Sequence, residues 1–396
     1  MATLLSVDEA RRLILERVTP LPPEAVPLAE AAGRVLAENA RAAVDLPPFP
    51  SSAMDGFALR AADAPGRLPV VARIAAGHPA PRPLAPGEAM GIATGGVVPE
   101  GADAVAPIEV VTDAGEVVEV PSVESGAHVR PRGGDLARGD AVVEAGAILR
   151  PAELAALAAV GIAEVACARR PRTAVVTTGS ELRRPGDSLA PGQIFESNGV
   201  MLAAALASAG AVVEPQVSVA DDETAHREAL ERGLEADVLV TSGGVSVGPH
   251  DLVRRIEREL GVEEVFWRVA VKPGKPVSFG VRGSTLVFGL PGNPVSSLVG
   301  FELFVRPALL ALQGARDPGP PFQPGVLGAS VRRNSQRDEF LRARVRSDGD
   351  RAVLEPLTGQ ESHMIARAAA ADALVLAPRG DGELAAGSGV RYLLLR

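Results

Sequence analysis

Three short glycine-bearing segments hold most of the chemical information in this chain of 396 residues: TTGSEL at 177–182, SGGVSVG at 242–248 and LPGNP at 290–294. Each follows an apolar run that reads as a strand, TAVV, DVLVT and STLVFG in turn. Ligands of open α/β sheets bind just beyond the C-terminal ends of parallel strands, so the three loops are expected on one edge. Glycine there admits positive φ and lets backbone amides close on a ligand. Successive amides form an anion-binding nest, and a helix opening after LPGNP adds its positive end, so the expected guest is a phosphate or similar oxyanion. Glu181 and Asp251 stand beside two of the loops. Carboxylates next to phosphates commonly hold magnesium, the competing reading being ordinary helix-capping acids. Neither GxGxxG nor GxxxxGK[ST] occurs in the three loops, which argues against a dinucleotide or P-loop nucleotide site.

A second group of candidates lies upstream. PPFPSSAMDGFALR, 47–60, puts two hydroxyls and Asp55 in a turn ending at Gly56, with an Asx turn as the structural alternative. ATGGVVPEGADAV, 93–105, is another Thr-Gly-Gly loop able to supply amides and the Thr94 hydroxyl. Among 40 cationic residues only Lys272 and Lys275 are lysines, both inside VKPGKP. A compact ammonium suits that place better than a planar guanidinium, unless both are merely solvated loop charges. The five histidines lack metal-ligand spacing, and the single cysteine, Cys167, permits neither a disulfide within the chain nor a Cys-ligated zinc site. Nothing demands an oxidising compartment, and a cytoplasmic protein is expected. The net charge of −9 argues against a broad nucleic-acid footprint, and no signal peptide or bilayer-spanning run is read from the sequence.

These loops need a scaffold, and the length allows roughly two to four domains. Ser6 and Glu9 have capping-box spacing and open a helix expected to reach about Val18. From Val44 to about Val143, short apolar runs broken by Pro and Gly read as a β-rich module. Pro151 opens an Ala/Leu helix that stops at Gly161, so the module reads as an insertion between two helical pieces. From Arg172 to about Gly314, strand and helix patterns alternate and predict a parallel sheet with crossover helices. DPGPPFQPG is a linker by composition, and the remainder reads as a small β domain.

SSAMDGFAL, ATGGVVPEGADAV, TGSEL, GQIFESN, SGGVSVGPHD, VKPGKP, LPGNPVSS and a late SHM occur in one order over nearly the whole chain, and in this the sequence resembles the molybdopterin molybdenumtransferases of the MoeA type, to which the C-terminal domain of gephyrin is related. The resemblance implies a multidomain α/β plus β fold. Its parts are a discontinuous elongated N-terminal domain (1–46 and 136–170), an inserted β-rich domain (47–135), a central three-layer αβα domain of MogA type (171–318) and a small β-barrel-like C-terminal domain (319–396). It implies an enzyme that takes adenylyl-molybdopterin and molybdate and releases AMP and molybdenum cofactor, assisted by Mg2+ or Zn2+. It further implies a homodimer, an upstream adenylyltransferase and downstream molybdoenzyme acceptors.

Carried over residue by residue, the resemblance assigns Ser242, Gly243, Gly244, Ser246, Asp251, Asp221, Pro291, Gly292 and Asn293 to the pterin nucleotide. Lys272, Lys275, Arg342 and Ser362 go to molybdate. Asp55 and Thr94 are brought by the partner subunit, and Asp55 and Glu181 organise the metal or the attacking water. Departures from the family pattern fall at Pro50, Ser51, Gly134, Pro107, Arg367 and Asp372. The alternatives are the preceding adenylyltransferase, normally a sheet domain without the MDG module, and a non-catalytic scaffold of gephyrin type.

Overall fold

The computed structural model describes residues 4–244 and 252–395. Its centre is a seven-stranded sheet. Arg172–Thr178, Val238–Ser242 and Thr285–Leu290 run parallel and side by side, and Val212–Val213 and Val217–Val219 flank the first of them. Alternation along the strands decides the layers. Val175, Val238, Val240, Leu286 and Phe288 join one core with the helices Asn198–Ser208 and Pro294–Gly300. Ala174, Val176, Leu239 and Val287 join another beneath Glu223–Gly233 and Leu252–Glu259. Both faces are covered, giving the expected three-layer αβα domain.

The sheet is not parallel throughout. Ser278–Arg282 pairs antiparallel with Thr285–Leu290, and Glu263–Trp267 antiparallel with Ser278–Arg282. The two residues between Arg282 and Thr285 include Gly283 at φ 58°, and so short a link makes a hairpin where a parallel crossover needs a dozen residues or more.

The helix Val7–Leu15 carries the expected capping box, Ser6 with Glu9, but ends earlier than expected. Arg17 N–H and Val18 N–H bond three residues back, tightening the last turn before Thr19-Pro20, where Pro20 disfavours helix in its neighbour. Val7, Ala10 and Ile14 are buried against the αβα domain.

The β-rich module hangs from a stalk made by both ends of its insertion. Pro23–Pro27 pairs with Glu164–Ala168 and Ala40–Arg41 with Ala141–Val143, over a core that joins Val26, Leu36, Leu149, Leu157 and Cys167. Burial pushes the Cys167 thiol pKa up, which makes it inert. Within the module, Gly56–Leu59 lies between Ala89–Ile92 and Ala104–Pro107, antiparallel to both. Phe57 and Leu59 enter one core and Ala58 the other.

The C-terminal domain is a small closed barrel: Asp338–Asp348, Arg351–Pro356, Gln323–Leu327, Gly389–Leu394 and Ala373–Ala377 pair in that order, and the last returns to the first. Leu341, Ala343 and Val375 fill it, while Phe340, Leu374 and Leu376 face the main core and dock it. Among the described residues one helical run, Pro294–Leu312, is long and apolar enough to cross a bilayer, but 78% of its apolar window is buried inside the protein as the central core helix. It makes a π turn at Phe301–Val305, just before Pro307, whose ring cannot sit under an α-helical carbonyl.

Candidate active site

The three glycine loops meet as their strand order requires. Thr177, Thr178, Gly179 and Glu181, then Ser242, Gly243 and Gly244, then Pro291, Gly292 and Asn293 line one cavity of about 740 Å3, within the range that holds cofactor-sized ligands. The loops are tied from below by a residue that sequence reasoning did not single out. Asn198 Nδ2 donates to Ser242 Oγ at 2.9 Å and to Gly292 O at 2.7 Å. Ser297 Oγ donates to Pro291 O at 2.5 Å and lies 3.3 Å from Ser242 Oγ. Asn198 Oδ1 is buried without a partner among the described residues. Its only sequence signal was the SN that closes GQIFESN before an apolar helix.

Glycine is required where the loops cross. A Cβ on Gly243, at φ 95°, would meet Thr178 Oγ1 at 2.7 Å, and one on Gly244 would meet Val253 Cγ2 at 2.5 Å. The Glu181 carboxylate folds over Gly179, where a Cβ would meet Oε2 at 2.6 Å, and it has no hydrogen-bond or ion-pair partner among the described residues. Asp221 lines the same cavity and is latched to the first loop: Ser180 N–H donates to Asp221 Oδ2 at 3.2 Å, and Asp221 N–H to Ser180 Oγ at 3.0 Å. Ser246 and Asp251 lie outside the described residues. His226 and His363, which sequence spacing did not single out, both line the cavity, and His226 is buried with Nδ1 2.7 Å from Asp222 O.

Asp55 and Thr94 are brought together, but elsewhere. Thr94 donates to Asp55 Oδ1 from its N–H at 2.6 Å and from its hydroxyl at 2.9 Å, and these two bonds hold the Asp55 carboxyl below the usual carboxylate range. The Asx turn is not what forms, because the acceptor is spent on a loop 39 residues away. Ser52 N–H to Gly96 O and Gly95 N–H to Ser52 O, both 2.9 Å, zip the two loops together, and Ile108 N–H, next to Pro107, bonds Asp55 O at 2.9 Å. Ser51 is buried and pairs with Arg130. This pair belongs to the β-rich sheet and is not part of the lining of the strand-end cavity.

The expected molybdate set is divided. Lys272 Nζ pairs with Glu339 Oε1 at 2.9 Å, because Val271–Lys272 pairs as a strand with Asp338–Glu339 of the barrel. Lys275 lines a different hollow, while its neighbour Pro276 lines the strand-end cavity. Ser362 reaches the third loop: Asn293 Nδ2 donates to its Oγ at 2.9 Å, and Val295 N–H to its carbonyl at 3.0 Å. Arg342, assigned to molybdate by the resemblance, is engaged with backbone. It is 1% exposed, and its fork donates to the carbonyls of Gly359, Glu361 and Met364, so it holds the Ser362 segment in place instead of presenting charge to the cavity. Two of the departures are structural here: Arg367 donates to Thr358, and Asp372 accepts from Val345 N–H.

Among the described residues no group of three or more His, Cys, Asp or Glu is placed to hold a metal ion. Glu181, Asp221 and Glu196 are the carboxylates that line the cavity among the described residues, and Glu196 is buried and accepts the Gly199 N–H at 2.7 Å. Carboxylates completed by ligand phosphates suit magnesium, whereas zinc favours nitrogen and sulfur ligands, and among the described residues the two histidines of the lining are not grouped with a third such ligand.

Residues 5–161 match the family described as MoeA N-terminal region (domain I and II), residues 174–311 the probable molybdopterin binding domain, and residues 324–395 the MoeA C-terminal region (domain IV). Molybdopterin molybdenumtransferase 2 of Mycobacterium tuberculosis is 39% identical over 97% of this chain and 98% of its own length. Molybdopterin molybdenumtransferase of Haemophilus influenzae is 34% identical over 98% of each chain. Two structures of the MoeA protein of Pyrococcus horikoshii, 32% and 29% identical, superpose with TM-scores of 0.81 and 0.84 over 99% of this chain and 99% and 100% of theirs.

Proposed function

The chain belongs to the MoeA family of molybdopterin molybdenumtransferases, and from that premise we propose that it inserts molybdenum into molybdopterin, taking adenylyl-molybdopterin and molybdate and releasing molybdenum cofactor and AMP. It is a transferase of molybdenum cofactor biosynthesis. The observation that carries the reading is the cavity at the ends of three adjacent parallel strands, lined by glycine loops with the Glu181 carboxylate beside them unpartnered among the described residues. Such loops offer amide donors to a bridging diphosphate, and the helix after Asn293 turns its positive end toward the same place. A neighbouring hollow of about 760 Å3 shares Thr177, Gly179, Leu182 and Glu196 with the cavity, which suits a ligand with two bulky ends joined by phosphates.

Glu181 and Asp221 would hold Mg2+ together with those phosphates, and the ion would neutralise charge as the phosphoanhydride is cleaved. Asp55 is kept ionised by Thr94 and so is suited to orient or deprotonate water. It stands outside this chain's own cavity, which favours a homodimer in which each copy supplies Asp55 and Thr94 to the other. Lys272, Lys275 and Ser362 receive the oxyanion, with Arg342 as the positioning residue that keeps Ser362 in reach of Asn293. Lys272 would exchange Glu339 for the dianion. The setting is cytoplasmic, with an adenylyltransferase supplying the nucleotide and molybdoenzymes receiving the product.

The test is single-turnover AMP release from adenylyl-molybdopterin with magnesium, with and without molybdate. Molybdate-dependent release with formation of active cofactor is the expected result. Nucleotide binding without release would point to a scaffold, and synthesis of the nucleotide from ATP would point to the adenylyltransferase.

A further inference from the structure

We propose that the hollow lined by Arg268, Lys275 and Arg379 is a second anion site, which gathers a tetrahedral oxyanion on the other side of the VKPGKP loop from the strand-end cavity. The hollow measures about 870 Å3, and Leu5, Trp267 and Gln336 share in its lining. The loop is the wall between the two spaces, since the consecutive residues Lys275 and Pro276 face different ones.

The charge here is unspent. Arg268, Lys275 and Arg379 have no side-chain ion-pair partner among the described residues, in a chain whose other arginines are widely paired and whose net charge is −9. Two carboxylates stand near Arg379: Asp338, whose Oδ1 accepts the Arg379 backbone N–H at 2.8 Å, and Glu9, which feels Arg379 but whose carboxylate is taken by the Ser6 N–H and hydroxyl. Arg268 is also built into position. Its φ is 76°, a conformation L residues rarely adopt and one that points to function when the surroundings enforce it. Its N–H donates to Val277 O at 2.9 Å, and its guanidinium lies 3.7 Å from the centre of the Trp267 ring. Arg254 lies 3.9 Å from the same centre, so the two guanidiniums occupy opposite faces of the indole. Stacking fixes the plane of Arg268 while leaving its hydrogen-bond donors free along the edge.

Three cations around an open hollow, one of them held by stacking, raise the local concentration of a small dianion. Naming that dianion as molybdate rests on the function proposed above; the anion site itself does not. The VKPGKP loop would then take the oxyanion from one side and the pterin nucleotide from the other, so that neither substrate blocks the approach of the second.

The experiment uses the full chain and molybdate alone as probe, with binding read by calorimetry at low and high salt and with phosphate and sulfate as rivals. Arg268→Gln and Arg379→Gln should each weaken molybdate binding at least about fivefold and flatten its salt dependence, with adenylyl-molybdopterin affinity unchanged. Arg268→Gly accepts the same φ without strain and should lose molybdate equally, which separates loss of charge from loss of fold. Unchanged molybdate binding in these variants overturns the proposal, and tighter binding of phosphate or sulfate overturns the choice of molybdate. AMP release is read separately. If the wild type releases none while Arg268→Gln loses molybdate, the functional reading falls and the site stands; if release depends on molybdate and its half-saturating concentration is unmoved by the variants, the site falls and the function stands.

Discussion

Two carboxylates stand out in this molecule, and they are prepared in opposite ways. Asp55, itself exposed, stands just before the buried strand Gly56–Leu59 and is tied by two hydrogen bonds from Thr94. Glu181 lies over a glycine in an exposed loop and is tied to nothing among the described residues. A carboxylate locked by donors keeps its charge and direction at low pH, as a group acting on water must. One left free can still spend its lone pairs on a cation that arrives with the substrate. The contrast teaches that rigidity is placed in the β-rich module and adaptability in the αβα loops.

The hardest way to break the rigid side is Gly56→Ala. A Cβ there would stand 2.0 Å from Ala106 O, backbone that cannot step aside, so the central strand must shift. The cost expected in a denaturant titration is about 3 kcal/mol, with AMP release lost because Asp55 leaves Thr94. Asp55→Asn keeps the fold and should lower single-turnover AMP release about a hundredfold, while nucleotide affinity, set in the other domain, stays within error; equal loss of both would merge the two regions into one. Asn198→Ala attacks the adaptable side from below. It leaves Ser242 and Gly292 without their buried donor, at about 1–3 kcal/mol, and should weaken nucleotide binding while the melting of the β-rich module is unmoved.

Glu181→Gln should raise the magnesium concentration needed for half-maximal release and leave metal-free nucleotide binding nearly intact, as a titration of release against magnesium will read. The smallest effect sharpens the comparison: Thr94→Val removes one of two donors to Asp55. Because the folded carboxyl titrates below its unfolded value, its ionised state is secure above the ordinary range and is lost as pH falls through the lowered one. Weakening the bond should therefore move the acid limb of the pH–rate profile to higher pH, and the same variant should leave the magnesium titration alone.

Much of this arrangement was legible in the residues. Strand, glycine loop and helix recur three times, and the rule for where parallel strands end places TTGSEL, SGGVSVG and LPGNP together without any knowledge of side chains. What escaped depends on distant contacts. Asn198 joins loops 44 and 94 residues away, and nothing in its neighbours says so. Arg342 has the same letter whether its fork meets a ligand or three carbonyls, and only burial decides between them. The turn at Gly283 made a hairpin where alternation had promised a crossover, and the cations of VKPGKP divided because a side chain's direction is not written in its spacing.

The stalk of the β-rich module has one more consequence. Ala42 N–H bonds Asp140 O at 2.9 Å, and Leu46 N–H bonds Leu136 O at 2.8 Å. The two ends of nearly a hundred residues therefore enter and leave through a single hydrogen-bonded doorway. A segment with adjoining ends can be excised, and a short turn put in its place, without pulling apart the strands that remain. Asp55 thus travels on a cassette, and the αβα body with its barrel keeps a core that owes nothing to it.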